Sequence, residues 1–261
     1  MDLRIKGRTA LVLGGGGGLG AAISLALAAE GAKVAIADIK GDAAASAAHR
    51  IDAAGGTAMG LAWDLADLSV IDPSVRSIEA SLGPVDILIN ITGGPPPTTA
   101  RGIDPAVWAE HFNSMVLSVI AITDRVLPSM RDRRWGRIVT STSSGVVAPI
   151  PNLGLSNALR LSLVGWSKTL SAEVAHEGIT VNLVIPGRIA TDRIRFLDEA
   201  RAQREGRSLD AIQSSSTATI PMGRYGTQEE YADAVTFLAS DRAGYITGSS
   251  LRVDGGLIQS I

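Results

Sequence analysis

Seven short apolar runs rich in branched side chains recur along the chain, separated by longer stretches with helical spacing, and this alternation restricts the fold more than any other feature. The runs are TALVLG (9–14), KVAIAD (33–38), TAMGLAW (57–63), VDILIN (85–90), GRIVTST (136–142), ITVNLVI (179–185) and SLRVD (249–253). Between them, apolar residues at three- and four-residue steps predict helices over about 19–30, 42–54, 69–82, 105–130, 154–176, 191–206 and 227–240. Gly31 supplies a stop for the first, and Pro105 a first-turn residue for the fourth. Strands joined through helices need crossover connections, which build a parallel sheet covered on both faces. The expectation is one doubly wound Rossmann-type α/β domain of about seven strands over residues 1–261, without repeats or linkers.

Composition narrows the function. A net charge of −2 argues against nucleic acid or a membrane surface as partner. No cysteine occurs, which excludes disulfides and thiolate nucleophiles, and no metal site is expected. With neither a signal-like start nor a charge-free apolar run of membrane length, the expected compartment is the cytoplasm.

The run GGGGGLG (14–20) lies between the first strand and its helix, where backbone N–H groups and the helix dipole favour a phosphate. It fits two spacings, Gly15-x-Gly17-x-x-Gly20 and Gly14-x3-Gly18-x-Gly20. Asp38 closes the next strand eighteen residues past Gly20. A carboxylate there can accept hydrogen bonds from both ribose hydroxyls of an adenosine and repels a 2′-phosphate, so NAD is expected in preference to NADP.

The second spacing resembles the short-chain dehydrogenase/reductase family, and the likeness extends along nearly the whole chain. WDL (63–65), NITG (90–93), IPGRIATD (185–192) and GRYGTQEEYADAVTFLASDRAGYITGSSLRVDGG (223–256) are similar to family segments, in family order. The resemblance implies a dinucleotide held by Gly14, Gly17, Gly18, Leu19, Gly20, Asp38, Asp64, Leu65, Asn90, Thr92, Gly93, Arg160, Pro186, Gly187, Ile189 and Thr191. It places Asp64 at the adenine, the Ile189 backbone at the nicotinamide amide and Thr191 at the pyrophosphate. It implies a homotetramer or homodimer, with helices 104–130 and 154–176 at one interface. It also implies that Asn113 stands where the family carries a catalytic Asn.

The stretch LGLSNALRLS (153–162) departs from the family. The family moves hydride with a Ser, a Tyr thirteen residues later and a Lys four beyond. Ser143 matches the first, but the next two positions are Ser156 and Arg160. A phenol near pKa 10, lowered by an ammonium, exchanges protons near neutral pH, whereas a serine hydroxyl is a far weaker acid and a guanidinium keeps its proton. By this alignment Tyr225, Tyr231 and Tyr245 all fall elsewhere, and His111, His49 and His176 look like surface or subunit-contact positions. Arg160 can still supply positive charge beside the nicotinamide ribose, or grip an anion with its planar fork. The plainer alternative is that Ser156 and Arg160 only stabilise their helix, for instance through an ion pair.

The loop 93–102 and a charged lid around 188–215 are expected to flank a small-molecule substrate, with Arg188 or Arg193 available to an anionic one. Three readings follow: an oxidoreductase on a carbonyl or secondary alcohol with an altered proton relay through Asn113, Ser143, Ser156 and Arg160; a dinucleotide-binding sensor; and a non-redox enzyme that stabilises an oxyanion. None of them names the substrate.

Overall fold

A computed structural model describes all of residues 1–261. Seven strands, β1 (Thr9–Leu13), β2 (Lys33–Asp38), β3 (Thr57–Ala62), β4 (Val85–Asn90), β5 (Gly136–Ser141), β6 (Ile179–Pro186) and β7 (Ser250–Val253), form one sheet in the order β3-β2-β1-β4-β5-β6-β7. Every pairing is parallel. The order reverses between β1 and β4, opening a crevice at the carboxyl ends of the strands where such sheets take ligands.

Helices α1 (Gly18–Ala29), α2 (Gly41–Ala53), α3 (Ile71–Ser81), α4 (Pro105–Phe112), α5 (Ser118–Asp132), α6 (Gly154–Val174), α7 (Asp192–Glu205), α8 (Leu209–Thr217) and α9 (Gln228–Leu238) complete the fold. Apolar side chains on opposite sides of the central strands feed two cores. Val12, Ile36 and Ile89 pack with Ile23 and Leu27 of α1 and Val235 of α9, while Leu11, Ala35 and Leu88 pack with Val75 of α3 and Ile122 and Val126 of α5. Residues alternate between these cores along the central strands, as a pleat buried on both faces requires.

The helix expected over 105–130 is broken. A π-helical turn, Asn113–Leu117, separates α4 from α5, so the extra residue rotates everything after Phe112 around the axis. By length and composition Pro105–Asp132 could cross a bilayer, yet Val119, Ile122, Val126 and Met130 are buried inside the protein.

Candidate active site

At the carboxyl end of β1 the chain turns back sharply enough to start α1 under the strand. Gly14 and Gly18 take the left-handed backbone conformation (φ +63° and +51°), which glycine adopts without strain. Gly20 is needed for a different reason: a Cβ there would fall on the carbonyl of Gly14. Gly17 has open space where a side chain would stand, so the turn presents bare backbone to the crevice, next to the amino end of α1. The Asp38 carboxylate accepts from the N–H of Gly16 at 3.0 Å and of Lys40 at 2.9 Å, fixing the end of β2 against the glycine turn.

These elements form one wall of a cleft of about 1330 Å³. Of the residues expected to hold a dinucleotide, Gly14, Gly17, Gly18, Leu19, Gly20, Asp38, Asp64, Leu65, Thr92, Gly93, Arg160, Pro186, Gly187, Ile189 and Thr191 line it. Asn90 does not. It lies beneath the floor, fully buried, with its amide donating to the Thr140 hydroxyl at 3.1 Å. Two buried donors on the cleft residues Trp63 (Nε1) and Thr92 (Oγ1) have no partner in the protein. A bare glycine turn, a carboxylate one strand away and unsatisfied donors suit an elongated polar ligand with phosphates at its middle.

Ser143, Ser156 and Arg160 line the same cleft. Ser143 follows β5, and its hydroxyl accepts from the Gly145 N–H at 3.1 Å. Ser156 and Arg160 share a face of α6, and the Arg160 Nε donates to the Ser156 hydroxyl at 3.3 Å. The rest of that guanidinium donates to backbone, from Nη1 to Ser141 O at 3.3 Å and from Nη2 to Gly93 O. Burial, together with the charge of Arg193, holds the Arg160 pKa down to about 10. It remains a cation at neutral pH.

Asn113, expected among these groups, is not one of the residues that line the cleft. The first residue of the π-helical turn, it donates its amide to Ala66 O at 2.7 Å. Ser114 faces the cleft instead. Of the arginines considered for anion binding, Arg188 is paired with the buried Asp198, which also accepts from Tyr225 at 2.8 Å, whereas Arg193 donates only to Pro95 O at 2.6 Å. Sequence reasoning also missed Tyr231. From α9 its buried phenol shares a hydrogen bond of 2.7 Å with the hydroxyl of Ser141, the last residue of β5. Nothing in the local spacing could have disclosed it, because the partners are ninety residues apart.

Comparison with known proteins points one way. A family model described as enoyl-(acyl carrier protein) reductase matches residues 15–258. The 3-oxoacyl-[acyl-carrier-protein] reductase FabG of Escherichia coli K12 is 38% identical over 257 residues, covering 98% of this chain and 99% of its own. The acetoacetyl-CoA reductase of Shinella zoogloeoides is 36% identical over 251 residues, covering 95% and 98%. Among solved structures, the L-sorbose reductase of Gluconobacter frateurii, complexed with NADPH and L-sorbose, superposes with a TM-score of 0.94 at 29% identity, and each chain is covered completely.

Proposed function

The chain belongs to the short-chain dehydrogenase/reductase family, and from that premise we propose that it is a nicotinamide-dependent oxidoreductase acting on a carbonyl or secondary alcohol, with a proton relay built on serine and arginine. One observation carries the reading: the glycine turn and the Ser143, Ser156 and Arg160 side chains line a single cleft. A nicotinamide dinucleotide lying along it supplies or removes the hydride.

The protein's own groups handle charge and proton. Ser143 polarises the carbonyl by donating its O–H to the substrate oxygen, while its own oxygen is held by the Gly145 N–H. As hydride adds to carbon, negative charge gathers on oxygen, and the buried Arg160 cation stabilises it in a poorly solvated site. Because the Ser156 oxygen accepts from Arg160 Nε, its O–H is free to point into the cleft and deliver the proton. The guanidinium beside it offsets the charge left on Ser156 until water returns a proton. Arg160 keeps its own proton throughout, which separates this relay from one running through an amine.

Asp38 supports a preference for NAD, since a 2′-phosphate would meet a carboxylate; the NADPH of the sorbose reductase complex is the contrary indication. Parallel titrations with NADH and NADPH decide between them. Exposed Phe112, Leu117 and Leu161 support assembly as a homotetramer through α4, the π-helical turn and α6, which light scattering checks, and we place the enzyme in the cytoplasm. The activity itself is tested with ketones and 3-oxoacyl thioesters, following nicotinamide absorbance. Turnover that falls in Ser143→Ala is expected; binding of dinucleotide without any turnover above that variant would reduce the protein to a sensor.

A further inference from the structure

Five arginines line the cleft: Arg160, Arg188, Arg193, Arg201 and Arg204. Three have carboxylates. Arg188 is paired with Asp198, and Arg201 and Arg204 with Glu205. The other two, Arg160 and Arg193, have no carboxylate within ion-pair distance, and they are neighbours. A Cβ placed on Gly94 would lie 3.1 Å from Arg193 Nη2 and 3.5 Å from Arg160 Nη2, so the two guanidinium tips flank one bare backbone position. Their remaining contacts are neutral: Ser156 Oγ and the carbonyls of Ser141, Gly93 and Pro95. Burial weakens the hold of both on their protons, and the charge of Arg193 adds to the effect on Arg160.

Two unneutralised cations side by side in a half-dry cleft are costly unless something negative joins them. We propose that Arg160 and Arg193 form the carboxylate site for the substrate, and that the substrate is a short oxo acid or its hydroxy acid. This rests on the oxidoreductase reading above and narrows its substrate class. The length follows from the geometry. The guanidinium whose Nε touches the Ser156 hydroxyl turns its Nη2 toward Gly93 and Arg193. The anion and the reacting oxygen are therefore separated by about one guanidinium. A carboxylate so close is joined to the reacting carbon directly or through one methylene, which describes a 2-oxo or 3-oxo acid. The charge-assisted fork also fixes which way the carbonyl faces. The cofactor's own phosphates have a separate place, at the glycine turn and Thr191. A Cβ on Gly18 would touch only the Thr191 side chain.

Calorimetry with unreactive probes tests the assignment: oxamate for a 2-oxo acid, malonamate for a 3-oxo acid, and ethyl oxamate as the uncharged control. Each is titrated into the protein with and without NADH, and NADH is titrated by itself. At least one anion is expected to bind the NADH-loaded protein, with ethyl oxamate weaker by about tenfold or more. Arg193→Gln is expected to weaken the anion by about tenfold while NADH affinity changes by less than about threefold. Gly94→Ala keeps both charges and is expected to weaken the anion too, by placing a methyl group between them. The proposal is overturned if acid and ester bind alike, if neither anion binds a protein that binds NADH, or if the loss in Arg193→Gln falls on NADH. Should neither NADH nor NADPH bind, the oxidoreductase reading falls. The free protein then decides the anion site alone: binding that Arg193→Gln weakens upholds it, and no binding removes it.

Discussion

The two ends of the cleft are made of different material. At the glycine turn the working groups are backbone N–H donors, placed by Gly14, Gly18 and Gly20 and braced by the Asp38 carboxylate. At the other end they are side chains just after β5 and on α6 and α7, and the central one is a buried cation without a counter-ion. The first end depends on chain geometry, so it tolerates almost no added atoms. The second depends on charge placed against solvation, so it can be altered without loss of fold but not without loss of chemistry. Substitutions at each end should therefore fail in different ways.

The largest expected effect is at the glycine turn. In Gly20→Ala the new methyl group meets the Gly14 carbonyl, and either the turn or the start of α1 must move. Stability should fall by on the order of 3 kcal/mol, as for overpacking at a rigid site, with dinucleotide affinity falling about a hundredfold. Thermal melting and NADH titration read the two losses, which should appear together. Arg160→Met is the counterpart. Turnover should fall about a hundredfold or more through lost stabilisation of the oxyanion. Stability should change by no more than about 1 kcal/mol, because a desolvated, unneutralised charge is removed along with its hydrogen bonds.

The pH dependence of Arg160 sharpens the contrast. Its folded pKa of about 10 lies below the ordinary guanidinium value, owing first to burial and then to Arg193. Between those values the unfolded chain holds the proton more tightly, so the stability of the wild type relative to Arg160→Met should rise as pH climbs through about 10. Turnover should decline over the same range as the cation is lost. Denaturant melts and rate profiles taken at the same pH values check the opposed directions, and parallel curves would sink the assignment.

Smaller effects follow at single hydroxyls and carboxylates. Ser143→Ala removes the proposed carbonyl donor and the acceptor for the Gly145 N–H. A drop in turnover of about tenfold to a hundredfold should accompany a stability loss of about 1 kcal/mol. Asp38→Asn discharges the site and keeps an acceptor for only one of the Gly16 and Lys40 N–H groups, which use different carboxylate oxygens. The ratio of NADPH to NADH affinity should rise about tenfold, with a stability loss of about 1 kcal/mol for the lost hydrogen bond. An unchanged ratio would remove Asp38 as the selecting group.

The same contrast explains what was legible in the sequence. The sheet and the glycine turn follow local rules, because strand periodicity, glycine spacing and a carboxylate at a strand end are all short-range patterns. Ser143, Ser156 and Arg160 could be located by counting along the chain, and all three reach the cleft. Asn113 could not. The π-helical turn inserts a residue that no periodicity announces, and Asn113 is committed to Ala66 while Ser114 faces the cleft. Asn90 too is placed by the fold, its amide held by the Thr140 hydroxyl on β5. Charge pairing is likewise decided by the fold. Arg188 and Arg193 look equivalent in the sequence, and only the fold shows that Asp198 and Tyr225 occupy the first and leave the second free.

Tyr231 puts the contrast to its finest test, because it returns a phenol to a site read as having none. Its hydroxyl is 2.7 Å from Ser141 Oγ, and Ser141 lies two residues before Ser143. The phenol approaches from the α9 side, fully buried, and also donates to Val184 O at 3.4 Å. Burial raises its pKa above the ordinary phenol value despite the hydrogen bond from Ser141 and the nearby charge of Arg160. A phenol held more firmly protonated than usual is a poor relay, so its work is to tie α9 to the end of β5. Tyr231→Phe should cost about 1 kcal/mol of stability, the net worth of one buried hydrogen bond, and leave turnover and its pH profile nearly unchanged. If turnover instead collapsed while the fold survived, the proton would be travelling through Ser141 to a displaced tyrosine, and the serine–arginine relay would have to be abandoned.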